Sequence, residues 1–247
     1  AAGEKVGAAA GKQIKKMVLE LGGSDPFIVL DDVDVAAAAK TGAYARMINT
    51  GQSCIAAKRF IVVKKVSDEF TRLFVEEFKQ LKMGDPLDET VNVGPLARED
   101  LASDLDALVK DAVAKGATVL IGGKRADRKG AYYEPTILTN VTPSMRISRE
   151  ETFGPVAVLI VVDSEKEAIE EANKTEFGLG ASLWTKNLKK AQKLSRQIDA
   201  GLVFINDFVK SDPRLPFGGT KKSGVGRELS VYGIREFVNI KSVVIKQ

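Results

Sequence analysis

Val156-Ala157-Val158-Leu159-Ile160-Val161-Val162 is an unbroken apolar run, and Asp163-Ser164 separates it from the segment Glu165 to Asn173. The first stretch has the length and β-branched content of a buried strand, and the second has the spacing of a helix. Ala181 to Trp184 then reads as a strand again. A strand, a short helix and a further strand form the repeating unit of α/β domains built on parallel sheets.

The same alternation extends in both directions. Upstream, Pro26 to Leu30, Phe60 to Val63, Thr118 to Ile121 and Tyr132 to Leu138 read as strands. Helical patterns lie between them at Asp34 to Ile48, Ser67 to Leu81 and Arg98 to Lys115. The first of these is Ala-rich, with an acidic start and with Lys40 and Arg46 later, the order a helix dipole favours. The second opens on Asp68-Glu69 and spaces Phe70, Phe74 and Phe78 along one face. Downstream, Leu188 to Ile198 reads as a helix, and Leu202 to Ile205 and Ser242 to Ile245 read as strands. At the start, Glu4 to Lys16 is a small-residue helix, and Met17 to Leu21 is a short strand stopped by Gly22-Gly23. The predicted fold class is α/β, a mostly parallel twisted sheet flanked by helices.

Composition narrows the chemistry. The chain has 247 residues, 44% hydrophobic and 28% charged, ordinary values for one large domain or two small ones. Thirty-seven Lys plus Arg against 33 Asp plus Glu leave a net charge of +4, too small and scattered for a nucleic-acid partner. No apolar run approaches the ~20 residues of a membrane helix, so no membrane partner is expected. The single cysteine excludes an internal disulfide framework and a Cys-rich zinc cluster. The absence of histidine removes Ser-His-Asp and Cys-His pairs, and any His-based metal site. Acid–base work is left to carboxylates, Lys, Tyr, Cys or a bound cofactor. The opening AAGEKVGAAAGK has no initiating Met and no apolar signal core. It reads as the inside of a longer, cytoplasmic gene product.

Two glycine-rich stretches fail as phosphate loops. Gly218 to Gly224 has Lys221 where a P-loop needs glycine before Lys-Ser, and Gly224 to Leu229 lacks the third glycine of a dinucleotide fingerprint. Both read as turns. Cys54 is different. A lone cysteine is most often a small buried hydrophobe, but Asn49-Thr50-Gly51-Gln52-Ser53 breaks the preceding helix and sets Cys54 before Ile55-Ala56-Ala57. At a helix start, free N–H groups would lower the thiol pKa and could hold an oxyanion. With no histidine, the base falls to a carboxylate, and Glu20 is the candidate. Flanked by Leu19 and Leu21 at a strand end, it would be half desolvated and its pKa raised. Sites in open parallel sheets form beyond the carboxyl ends of strands. The plain alternative is a solvated strand-end carboxylate.

Leu19-Glu20-Leu21-Gly22-Gly23, Gly51-Gln52-Ser53-Cys54, Glu151-Thr152-Phe153-Gly154-Pro155 and Pro216-Phe217-Gly218-Gly219 with Lys222-Ser223-Gly224 occur in that order. Together they resemble the aldehyde dehydrogenase superfamily over essentially the whole chain, with its Rossmann-like catalytic domain. Val203 to Asp207 followed by Ser211-Asp212-Pro213-Arg214 looks most like the succinate-semialdehyde dehydrogenase branch. The resemblance implies Cys54 as nucleophile and oxyanion donor, and Glu20 as general base. It implies that Glu151 bonds the nicotinamide-side ribose of NAD or NADP, with Phe153 packed beside the nicotinamide. In this branch an Arg can stand six positions before the nucleophile. That position is Ile48 here, which leaves Arg214 as the candidate for a substrate carboxylate.

The departures matter as much. The Pro-Trp-Asn-Phe-like segment that supplies a second oxyanion donor is missing, as are the Lys that holds the adenosine ribose and most of the cofactor-binding Gly-Ser turn. The chain therefore resembles the carboxyl-terminal half of such an enzyme. Residues 1–21 would be a remnant of the cofactor domain, 22–225 the catalytic domain, and 226–247 a terminal segment with a return or oligomerisation strand. The expected partners are a small aldehyde and further copies of the chain. The alternative is an α/β module that folds and self-associates without turnover.

Overall fold

Phe27 and Val29 face one buried cluster and Ile28 and Leu30 another; Phe60 and Val62 alternate with Ile61 and Val63 in the same way. Strands with both faces covered need apolar residues at every position, which is why these runs are continuous. The computed structural model describes residues 2–247. Ala1, the first residue of the expected cofactor-domain remnant, lies outside the described residues.

In chain order the elements are α1 (Ala2–Lys12), β1 (Leu19–Glu20), β2 (Pro26–Val29), α2 (Val35–Met47), β3 (Arg59–Val63), α3 (Lys64–Lys79) and α4 (Glu99–Ala114). Then come β4 (Thr118–Ile121), β5 (Thr136–Thr139), β6 (Val156–Val162), α5 (Glu165–Asn173), β7 (Phe177–Gly178) and β8 (Gly180–Trp184). The chain ends with α6 (Leu188–Ser195), β9 (Leu202–Ile205), β10 (Thr220–Lys221), β11 (Gly224–Val225) and α7 (Ser230–Glu236). A seven-stranded sheet has the order β4-β5-β6-β3-β2-β8-β9. Every pairing in it is parallel except β4 with β5, so the expected mostly parallel α/β sheet is present. Helices α2 and α3 cover one face, where the Phe74 ring touches those of Phe60, Phe70 and Phe78. Helices α5 and α6 cover the other. Gly42 lets α2 lie close on the sheet, since a Cβ there would come 3.0 Å from the Phe60 ring.

Several elements differ from their sequence expectation, among them β1, which is only Leu19–Glu20, and α6, which ends at Ser195. Helix α3 starts at Lys64, directly after β3, because the Ser67 hydroxyl bonds back to Lys64 O at 2.9 Å inside the helix and caps nothing. Helix α1 stops at Lys12, before the expected Lys16. Strand β5 begins at Thr136; upstream, Tyr132 donates to Gly84 O at 3.0 Å, and Tyr133 pairs with Arg125 in an isolated bridge while its hydroxyl donates to Asp106 Oδ1 at 3.4 Å. Ser242 to Ile245 forms no strand and pairs with none of the described strands, and a strand needs a partner for its backbone groups. No helix among the described residues is long and apolar enough to cross a membrane.

Candidate active site

Three segments enter neighbouring strands at one edge of the sheet: residues 19–25 lead into β2, 49–58 into β3, and 151–155 into β6. They carry Glu20, Cys54 and Glu151. The site therefore forms at the amino ends of the parallel strands, not beyond the carboxyl ends as the general rule for open sheets suggests. The reason lies in connectivity. All three residues precede their strands, so parallel pairing gathers them at the entry edge.

Cys54 sits in a turn closed by Ala56 N–H donating to Ser53 O at 3.2 Å, and no helix begins there. Before it, Asn49, Thr50 and Gly51 have φ of 51°, 58° and 73°, a strained left-handed run that ends α2 abruptly. Gly51 is needed twice, because a Cβ there would also overlap the Gly154 carbonyl. The run is pinned from several sides. Arg46 Nη2 donates to Gly51 O at 2.6 Å, Gly94 N–H donates to Thr50 Oγ1 at 3.1 Å, and Ala97 N–H donates to Gln52 Oε1 at 2.8 Å. The half-buried thiol packs beside Leu179, Leu202, Val209 and Phe217. The expected helix-start depression of its pKa is absent. Burial pushes the thiol up, Lys58 opposes that, and Asp25 adds to it.

Glu20 is not on the main sheet. It lies on β1, paired antiparallel with β11 through Leu19 with Val225 and Glu20 with Gly224. Its carboxylate faces the Gly218 backbone, where a Cβ would stand 2.8 Å from Oε1. Neither oxygen has a hydrogen-bond partner among the described residues. Burial pushes this carboxyl up to about 7; the charge of Glu228 adds to the shift, and the Arg227 guanidinium opposes it. The desolvation expected of a strand-end carboxylate is thus present, although a small antiparallel ribbon supplies it.

Glu151 Oε1 accepts from Gly23 N–H at 3.0 Å and lies 3.5 Å from Lys58 Nζ. A Cβ on Gly22 would overlap its Oε2, so glycine lets the carboxylate lie against the backbone. Glu151, Leu19, Leu21, Gly22, Lys221 and Lys222 line a cleft of about 550 Å³. A partly exposed carboxylate with one oxygen committed can accept from a ribose hydroxyl, and the apolar wall of Leu19 and Leu21 suits a flat ring. These residues fit the nicotinamide end of a dinucleotide. Phe153 is exposed. Arg214 is exposed, and its side chain forks onto Asp212, at 2.9 Å through Nε and 2.6 Å through Nη2.

Beneath the Cys54 turn lies a charged group that the sequence reading did not single out. Lys58 is buried and donates to three carbonyls of the turn. Asp25 is buried, with Oδ1 accepting from Gly180 N–H at 3.1 Å and Oδ2 unpartnered. Burial pushes the Asp25 carboxyl up and the Lys58 ammonium down. One sequence signal was available: Lys58-Arg59 opens the apolar run Phe60 to Val63, and cations entering a buried strand need partners. Among the described residues no acidic or thiol cluster could hold a metal.

The model of the aldehyde dehydrogenase family matches residues 1–243. A probable succinate-semialdehyde dehydrogenase [NADP(+)] of Synechocystis sp. is 54% identical over 99% of this chain and 54% of its own length. Succinate-semialdehyde dehydrogenase [NADP(+)] 1 of Mycobacterium tuberculosis is 50% identical over 99% of this chain and 53% of its own. The crystal structure of the Streptococcus pyogenes succinic semialdehyde dehydrogenase in complex with NADP+ superposes with a TM-score of 0.96. It is 41% identical, with 100% of this chain and 54% of that one covered. The chain spans about half the length of the curated relatives it matches. With motif order, sheet topology and sequence identity in agreement over nearly every residue, the chain belongs to the aldehyde dehydrogenase family.

Proposed function

We propose that this chain is the catalytic half of an NAD(P)-dependent aldehyde dehydrogenase of the succinate-semialdehyde branch. The observation that carries this reading is Glu20, a half-buried carboxylate with both oxygens free and its pKa raised to about 7, in the segment that enters β2 next to those that carry Cys54 and Glu151 into β3 and β6. A base needs that state: ionisable near neutrality and not committed to another partner. The Cys54 thiolate adds to the aldehyde carbon to form a thiohemiacetal, and the Cys54 N–H is available to the developing oxyanion. Bound NAD(P) supplies the hydride acceptor, which leaves the substrate as a thioester on Cys54. Glu20 then takes a proton from water, which attacks the thioester and releases the carboxylate and the thiol. Glu151 holds the cofactor end of the cleft, with Phe153 beside it. The names of the relatives favour NADP.

In the full-length enzyme, Cys54→Ser is expected to abolish turnover without loss of fold. Glu20→Gln is expected to keep a burst of reduced cofactor followed by a slow steady state. Normal turnover in the serine variant would remove Cys54 from the mechanism, and loss of the burst in the glutamine variant would make Glu20 the activator of Cys54. The chain by itself, mixed with NADP+ and succinic semialdehyde, is expected to give no reduced cofactor, because it spans about half the length of its relatives.

For the substrate, Asp212 occupies the Nε–Nη2 edge of Arg214, so a substrate carboxylate would meet Nη1. Arg214→Ala is expected to raise KM for succinic semialdehyde about tenfold, as loss of a charge-assisted bond would, and to leave butanal nearly unchanged. Equal effects on both would mean that Arg214 only shapes its loop. Copies of the chain are proposed to associate through its terminal segments.

A further inference from the structure

The turn that carries Cys54 is fastened from beneath by one ammonium. Lys58 is 1% exposed, and its Nζ donates to the carbonyls of Ser53 (3.2 Å), Cys54 (2.9 Å) and Ala56 (3.1 Å). Those three bonds use its full donor capacity. The same Nζ lies 3.5 Å from Glu151 Oε1, the oxygen that also accepts from Gly23 N–H. Gly23 in turn backs onto the Cys54 carbonyl, so closely that a Cβ would stand 2.8 Å away. One charge thus touches both the thiol's turn and the carboxylate of the cofactor cleft.

A neutral amide could satisfy two of these carbonyls without the cost of burying a charge. What the ammonium adds is a positive field beside a thiol whose pKa burial pushes up. The groups facing Lys58 are Arg46 from α2, Asp25 before β2, Glu151 before β6, and Cys54 itself. Arg46 opposes the charge and the carboxylates support it. Glu151 is the only one of these that lines the cleft.

We propose that Lys58 is a positioning residue that fixes the Cys54 turn, offsets the burial of the thiol, and makes the thiol's reactivity depend on the state of Glu151. This rests on Cys54 being the nucleophile. An incoming hydroxyl that draws on Glu151 would leave more of the Lys58 field for Cys54, so the thiol would be most reactive when the cleft is filled.

The test is the pH profile of iodoacetamide alkylation, read on the chain's single cysteine. Lys58→Met is expected to move the midpoint up by about one pH unit and to slow alkylation at pH 7.5 several-fold. Lys58→Arg, which keeps the charge, should restore most of the rate. Glu151→Gln should move the midpoint down. In the full-length enzyme Lys58→Met should lower kcat and raise KM for NADP+, with KM for the aldehyde little changed. A folded Lys58→Met with the wild-type profile would overturn the proposal. If that variant does not fold, Glu151→Gln decides, and an unmoved midpoint there would overturn it equally. Alkylation reads the field at the thiol whether or not Cys54 is the nucleophile. Failure of the nucleophile assignment would instead show in the turnover of Cys54→Ser.

Discussion

Glu20 ionises in the open chain near 4.5, and in the fold only at about 7. Between those values the folded protein binds the proton that the unfolded chain has lost, so stability falls as pH rises through that window. Above about 7 the loss is complete, and below 4.5 there is none. The carboxyl is only partly buried, so solvent screens much of this effect. Glu20→Gln is therefore expected to melt about 2–4 °C above the wild type at pH 8, the shift that about 1 kcal/mol produces in a chain of this length. At pH 4, below the open-chain value, the two should melt together. Asp25 titrates in the same direction in both proteins and cancels from the difference. Melting curves at the two pH values check this, and an equal gap at both would mean that the carboxyl is not desolvated. The same ionisation should appear in catalysis as a rise in thioester hydrolysis with a midpoint near 7, missing from the glutamine variant. Cys54 and Glu20 were legible because their neighbours in sequence carry the signal. Lys58 was not, because its role depends on carbonyls of a turn and on a carboxylate 93 positions away, which only the fold brings together.

Elements whose ends are written in local chemistry match the sequence reading. Helix α5 begins after Ser164, whose hydroxyl accepts from Glu167 N–H at 3.2 Å, and β6 ends at the turn just before it. Strand β9 is equally well bounded. Elements whose ends depend on distant partners do not match. Strand β1 is two residues long because only Leu19 and Glu20 find partners on β11, more than 200 positions later. That short pairing still has a large consequence. The Leu21 N–H donates to Ser223 O at 3.0 Å and the Ser223 hydroxyl donates to Gly22 O at 2.7 Å, which ties the Glu20 ribbon to the Gly22-Gly23 wall of the cleft. The sequence signal for Glu20 as a strand-end carboxylate was sound, but the strand and the sheet edge were not those inferred. Local patterning reports which residues are buried, and connectivity decides at which end of a parallel sheet they gather.

Across the whole molecule, exposed apolar side chains concentrate at the two chain ends. Ile14 is 94% exposed, Val244 90% and Ile245 83%, with Phe237, Ile240 and Val243 also open to solvent. These ends meet, since Lys16 Nζ donates to Arg235 O at 3.1 Å and to Val238 O at 3.2 Å. Scattered exposed leucines and valines are ordinary, but a contiguous apolar region marks a surface that is covered by something. Ser242 to Ile245 also has strand-forming residues and no strand partner within the chain, so its backbone groups are open to pairing. A net charge of +4 over 247 residues offers little repulsion between copies. Sedimentation velocity of the chain is therefore expected to show association that grows with concentration. Replacing Val244 and Ile245 with glutamate should shift it toward the monomer, with the melting temperature unchanged because neither residue packs in the core. The alkylation profile of Cys54 should be unaffected, since the thiol lies among Leu179, Val209 and Phe217 and not at the termini. A wild-type chain that stays monomeric at every concentration would remove self-association from the proposal. If the glutamate variant still associated, the contact would have to lie elsewhere than on this terminal segment.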